Sequence, residues 1–167
     1  MFGCLNKNAV IKNVAFTNAN TSTGSGFFAQ VGGGLIENVY LQIKKVNAGG
    51  KINGSGIFWI AGGSATGTIK NCFVDIAEVA SNFAEADSNN PGVLGRFDGA
   101  VNNVIVITQG VQAVHGAYAG NTETLYTYNT RADMAAATNW QAGFENWDTT
   151  YWTTDADGLP IFKSLVD

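Results

Sequence analysis

Four stretches place apolar and polar residues in the same order: VIKNVAFT at 10–17, LIENVYLQ at 35–42, TIKNCFVD at 68–75 and AVNNVIVI at 100–107. Their asparagines, Asn13, Asn38, Asn71 and Asn103, are separated by 25, 33 and 32 residues. Internal periods of this length point to units that bury an apolar face only against their neighbours. Alternation within the stretches argues for strands with one buried face: Ile36 against Glu37 and Gln42, and Ile69 against Lys70 and Asp75. A glycine-led apolar phrase precedes each asparagine (FGCL at 2–5, GFFAQV at 26–31, GIFWI at 56–60, GVLGRF at 92–97), and a further apolar element follows it. Each unit therefore reads as three short strands joined by turns. The pattern predicts an all-β chain, a right-handed parallel β-helix of about four coils, the hand following the preference of parallel crossovers. Phe28, Phe58 and Leu94 hold matched places and are its core candidates.

The asparagines have a local reason. In I-x-N-V, strict alternation cannot bury both the isoleucine and the valine, and a bend at the asparagine resolves the conflict. Stacked in register, Asn13, Asn38, Asn71 and Asn103 are expected to form an amide ladder, with ligand contact as the alternative. Cys72 stands where Val14, Val39 and Val104 stand in the other copies. That place predicts a buried free thiol, a reactive nucleophile being the alternative. Cys4 and Cys72 are too few for a disulfide framework.

Periodicity stops after VHGAYAG at 114–120, which divides the chain into repeats over 1–120 and a C-terminal capping region over 121–167. RADMAAATNW at 131–140 predicts a short helix. The aromatic-rich remainder is expected either to cover the open end of the column or to offer Trp147, Tyr151 and Trp152 to a sugar. Trp59, flanked by Phe58 and Ile60 of opposite phase, either packs at an interface or presents an indole for glycan or protein contact. FGCL begins inside a coil with no cap before it. That start suggests a fragment of a longer protein, or self-association by stacking on further coils.

Composition narrows the function classes. Only 13% of residues are charged, 21 are glycine and 46% are hydrophobic, as suits strands with tight turns. A net charge of −4 argues against nucleic acid. No apolar run is long enough to insert in a membrane. His115 is the one histidine, and no Cys/His grouping has metal spacing. Nucleophile-elbow and Walker patterns are missing, and GGG at 32–34 opens no helix. DADG at 155–158 lacks the distal glutamate of a calcium loop and reads as a hairpin turn. No catalytic, cofactor-binding or metal-binding residue is expected. Glu37, Asp75 and Asp98 are the carboxylates that could converge for glycoside hydrolysis.

The phrases FG at 2–3, IKNV at 11–14, IENV at 36–39 and IKNC at 69–72, with the tail WTTDADGLPIFKS from Trp152, resemble bacterial and phage surface proteins built of GLUG-like glycine-rich β-solenoid repeats. The glycine-leucine opening is loosened here to GFFA and GIFW, and no tryptophan follows Lys163. The resemblance implies a non-catalytic structural or adhesive module, extracellular, on a bacterial cell surface or phage virion, presenting loops to a glycan or surface protein. A carbohydrate-active β-helix and a subunit that stacks through its first coil are the alternatives. The resemblance carries over no catalytic residue and no cofactor.

Overall fold

The computed structural model describes residues 2–21, 28–31, 33–46, 67–80, 93–94, 97–111, 119–121 and 124–166. Phe58, Trp59 and His115 lie outside them. In chain order the strands are β1 (Phe2–Leu5), β2 (Val10–Thr21), β3 (Phe28–Val31), β4 (Leu35–Val46), β5 (Thr68–Ile76), β6 (Phe97–Ile107), β7 (Ala119–Asn121) and β8 (Leu125–Tyr128). Helices α1 (Arg131–Ala136) and α2 (Gln141–Phe144) follow, then strands β9 (Trp152–Thr154) and β10 (Pro160–Phe162). Strands β2, β4, β5 and β6 lie side by side and parallel, and β7 and β8 share the fifth rung against β6. Strands β1 and β3 form a separate parallel pair, and β9 and β10 a small antiparallel sheet.

Register aligns the four phrases. Ile11, Ile36, Ile69 and Val101 are mutual neighbours across the sheet, as are Lys12, Glu37, Lys70 and Asn102. Each phrase asparagine has a left-handed backbone, with φ of 58° at Asn13, 51° at Asn38, 52° at Asn71 and 52° at Asn103. One left-handed residue resets the two-residue alternation, so Ile36 and Val39 reach the same face although three positions apart. Asparagine accepts this conformation more readily than most side chains. Asn38 Nδ2 donates to Asn13 Oδ1 at 3.0 Å, which makes one rung of an amide ladder.

Two layers cover the sheet. One face carries an aliphatic core of Ile36, Val39, Leu41, Ile43, Ile69, Cys72, Val74, Ile76, Val104 and Val106, with Leu94 packed into it. The other face carries Tyr40, Phe73, Ile105 and Ile107, and on these rest Met134, Trp140, Trp147, Trp152, Leu159 and Phe162 from the C-terminal segment. Thr130 and Asp133 form a reciprocal capping box that starts α1. The helix stops at Ala136, short of the predicted residue 140, and Ala137 is extended before Thr138 and Asn139, both poor helix formers. DADG forms the turn between β9 and β10: Asp155 Oδ1 accepts from the backbone of Asp157 and Leu159, and Gly158 takes φ +77°.

The expected all-β right-handed parallel β-helix of repeating coils is therefore corrected. The fold is mixed α/β: one parallel sheet, a small antiparallel sheet and two short helices, with the strand pair β1/β3 beside them. Its units do not repeat as coils, because β1 and β3 pair only with each other among the described residues and the last rung is split between β7 and β8. A strand buried on both faces of a parallel sheet is apolar at both parities, as in VYL, CFV and VIV, and such strands in register give the same spaced phrases as a coil wall. The resemblance to GLUG-like repeat proteins fails with the architecture. So do the structural or adhesive solenoid module of a bacterial surface or virion, and its carbohydrate-active solenoid alternative. Asp75, expected to face solvent, is buried instead, 4% exposed, and bonded to Arg131 of the C-terminal segment; Gln42 beside it is half-buried.

Candidate functional site: a polar groove across three strands

The αL bend leaves the residue before each asparagine on the sheet's second face, where the C-terminal layer ends short of it. Lys12, Glu37 and Lys70 thus form a polar row beside Asn13, Asn38 and Asn71. Asn146, Asp148 and Tyr151, from the turns after α2, make the opposite wall of a groove of about 440 Å³. Lys70 Nζ lies 3.3 Å from Glu37 Oε1. Asn38 and Asn71 are buried, and their Oδ1 atoms have no hydrogen-bond partner among the described residues. The Asp148 carboxyl accepts the Thr150 N–H at 2.9 Å, and this backbone bond first, with the Thr150 side chain, holds it below the usual carboxylate range. Tyr151 is half-buried, its ring stacked on Phe162 with centroids 5.9 Å apart.

A second concave region lies further along the same face, around Arg131. This guanidinium donates to Asp75 Oδ2 at 2.6 Å and also to Asp155, while Tyr40 Oη donates to Asp75 at 3.1 Å. Burial pushes the Tyr40 hydroxyl above its ordinary value, and the Asp75 charge adds to the rise. Burial pulls the Arg131 guanidinium down, and Asp75 followed by Asp155 more than offsets it, so its value stands above the ordinary one. Pockets of about 480 and 370 Å³ flank the arginine. With its charge spent on two carboxylates, the cluster joins α1 and the β9–β10 turn to β5.

Of the residues expected to meet a glycan or protein, Tyr151 alone among the described ones lines the groove. Trp147 and Trp152 are buried, 3% and 2% exposed, with ring centroids 4.6 Å apart, and their indole faces are taken up by the aromatic layer. Asn13, Asn38 and Asn71 belong to the groove. At the fourth phrase Thr124 takes the neighbouring place, its Oγ1 accepting from the Asn103 N–H at 2.8 Å. Glu37 and Asp75 do not converge: Glu37 pairs with Lys70, five residues before Asp75, a separation on the order of 15 Å along a strand. Cys72 is a buried thiol pushed up to about 12 by burial, with Sγ donating to Lys70 O at 3.1 Å, a state unsuited to nucleophilic attack. Among the described residues no group of His, Cys, Asp and Glu could hold a metal ion, and no helix is long and apolar enough to cross a membrane.

Sequence reasoning missed Arg131, Asn146 and Asp148. Asp148 carried one local signal, the D-x-T spacing of an Asx turn. No family model matches the chain, and no curated protein or solved structure matches it at a significant level.

Proposed function

We propose that this domain binds a glycan in the groove across β2, β4 and β5 and leaves it chemically unchanged. The observation that carries the reading is the row of three like-placed polar pairs, Lys12–Asn13, Glu37–Asn38 and Lys70–Asn71, facing Tyr151. The Lys12 and Lys70 ammonium groups, the Glu37 carboxylate and the exposed Asn146 amide supply the mixture of donors and acceptors that a hydroxyl-rich ligand uses. A tyrosine ring at the wall supplies an apolar face with a polar tip. Two lysines against Glu37 and Asp148 leave the groove without net charge, which disfavours a phosphate-rich polymer. Its volume falls within the range of small-ligand sites.

Binding is favoured over hydrolysis by the state of the carboxyls. Glycoside cleavage needs one carboxyl kept protonated as the acid. Asp148 is held in the opposite direction by its bonds to Thr150. An extracellular setting goes with this reading, since oligosaccharide chains are met chiefly there.

The test is a glycan array followed by calorimetry on the parent chain, on Asp148→Ala and on Tyr151→Ala. Folding of the variants is checked by near-UV circular dichroism. The reading expects a glycan hit whose affinity falls about tenfold or more in each variant, the loss of one or two good hydrogen bonds or of a stacking face. Failure of every glycan to bind, or equal binding by the folded variants, would overturn it.

A further inference from the structure

The groove has a direction, and the direction constrains its ligand. Its floor is made of one pair of residues from each of three adjacent parallel strands at the same register, so it runs across the strands. Neighbouring strands lie about 4.8 Å apart, and the first and third pairs are therefore separated by about 10 Å. The hydrogen bond from Asn38 Nδ2 to Asn13 Oδ1, 3.0 Å long, holds two of these rungs in step. A ligand lying along the floor meets a new charged side chain at every strand spacing, Lys12, Glu37 and Lys70 in turn, beside asparagines that are buried at the second and third rungs.

Resting on the glycan reading above, we infer that the ligand is a neutral, extended chain of equatorially linked pyranoses, taken up with one sugar per strand over three strands. Equatorial linkage at both ends of a pyranose gives a nearly straight ribbon whose rise per sugar is close to one strand spacing. Axial linkage curves the chain and carries it out of step with the rungs. Charge along the floor alternates as Lys12, Glu37 and Lys70, so a uronic-acid chain would set one of its carboxylates against Glu37. A neutral sugar meets no such repulsion. Tyr151 and Asp148 on the wall bound the width of the ribbon. Lys12 is exposed on β2, at the end of the row, and belongs to the outermost subsite.

The experiment is calorimetry with cello-, chito-, xylo- and manno-oligosaccharides from mono- to tetrasaccharide, with maltotriose as the curved control. In the series that binds, affinity is expected to rise about tenfold with each sugar up to the trisaccharide and then to level off, one or two hydrogen bonds being added per rung. Maltotriose should bind at least about tenfold more weakly than the straight trisaccharide. Lys12→Ser should weaken the trisaccharide about tenfold and so remove the gain from di- to trisaccharide. Equal affinities for mono- and trisaccharide, or for maltotriose and its straight counterpart, would overturn the inference and leave glycan binding standing. Absence of binding by all four series, with a branched or acidic glycan found on the array, would overturn it likewise. Absence of any glycan ligand would overturn both.

Discussion

Replacing Arg131 with methionine isolates the energetics of the contact that fastens the C-terminal layer to the sheet. Asp75 is 4% exposed and its Oδ2 takes two donors, Arg131 at 2.6 Å and Tyr40 Oη at 3.1 Å. In Arg131→Met the apolar stem is kept while the carboxylate loses its charged partner and stays buried. Breaking a buried ion pair from one side costs roughly 3–5 kcal/mol. About a third of the Arg131 side chain is exposed, 35%, so solvent screening places the expected loss at the lower end, about 3 kcal/mol. In a chain of this size that corresponds to a fall in Tm of roughly 6–12 °C. Asp75→Asn is expected to cost less, about 1–2 kcal/mol, because Arg131 then keeps Asp155 and its access to water while the amide still accepts from Tyr40. The assay is urea unfolding followed by fluorescence of the aromatic layer, with both single variants and the double variant forming a cycle. A loss below about 1 kcal/mol in Arg131→Met, or an Asp75→Asn variant as unstable as Arg131→Met, would show that the buried carboxylate does not depend on its charged partner.

Three further outcomes follow from other contacts. Cys72 is raised from 9.0 to about 12 by burial, so its contribution is complete below pH 9 and is lost as pH rises from 9 towards 12, up to about 4 kcal/mol; Cys72→Val should flatten the stability profile between pH 9 and 10, below the range where Tyr40 adds a loss of the same sign. Gly34→Ala should cost roughly 3 kcal/mol or more in denaturant titration, since φ there is +92° and an added Cβ would lie 2.4 Å from the Ala9 carbonyl oxygen. Asn38→Ala should cost about 1–3 kcal/mol through the left-handed φ of 51° and the lost bond to Asn13, whereas Asn38→Gly should cost less, because glycine accepts that backbone; equal losses would deny the bend its importance.

The sequence made the stacking of the phrases readable, because a conflict between Ile and Val around one asparagine can be resolved only by a bend, and four bends at like places align four strands. It did not reveal what lies on the second face of those strands. VYLQ, CFVD and VIVI are apolar at both parities, the mark of a strand covered twice, yet the same letters fit a wall strand followed by a corner. Asp75 within FVDI was the clearest available sign, since a lone carboxylate in an apolar strand needs a partner. That partner, Arg131, is 56 residues away and no local pattern points to it. The tryptophans left two readings open for a related reason: an indole suits a sugar platform and a buried layer alike, and only the sheet beneath decides. The polar groove was half legible, in its asparagines and Tyr151, while its wall at Asn146 and Asp148 depends on where a turn happens to dock.

The most direct test of a straight glycan seated in this groove is side-chain amide NMR of the full chain titrated with cellotriose, chitotriose, xylotriose and mannotriose in turn. At least one of them is expected to shift the amide resonances of Asn13, Asn38, Asn71 and Asn146 together, with the backbone signals of Asp148 and Tyr151. Shifts gathered instead around Arg131 and Gln109, or no shift with any of the four at millimolar concentration, would contradict it.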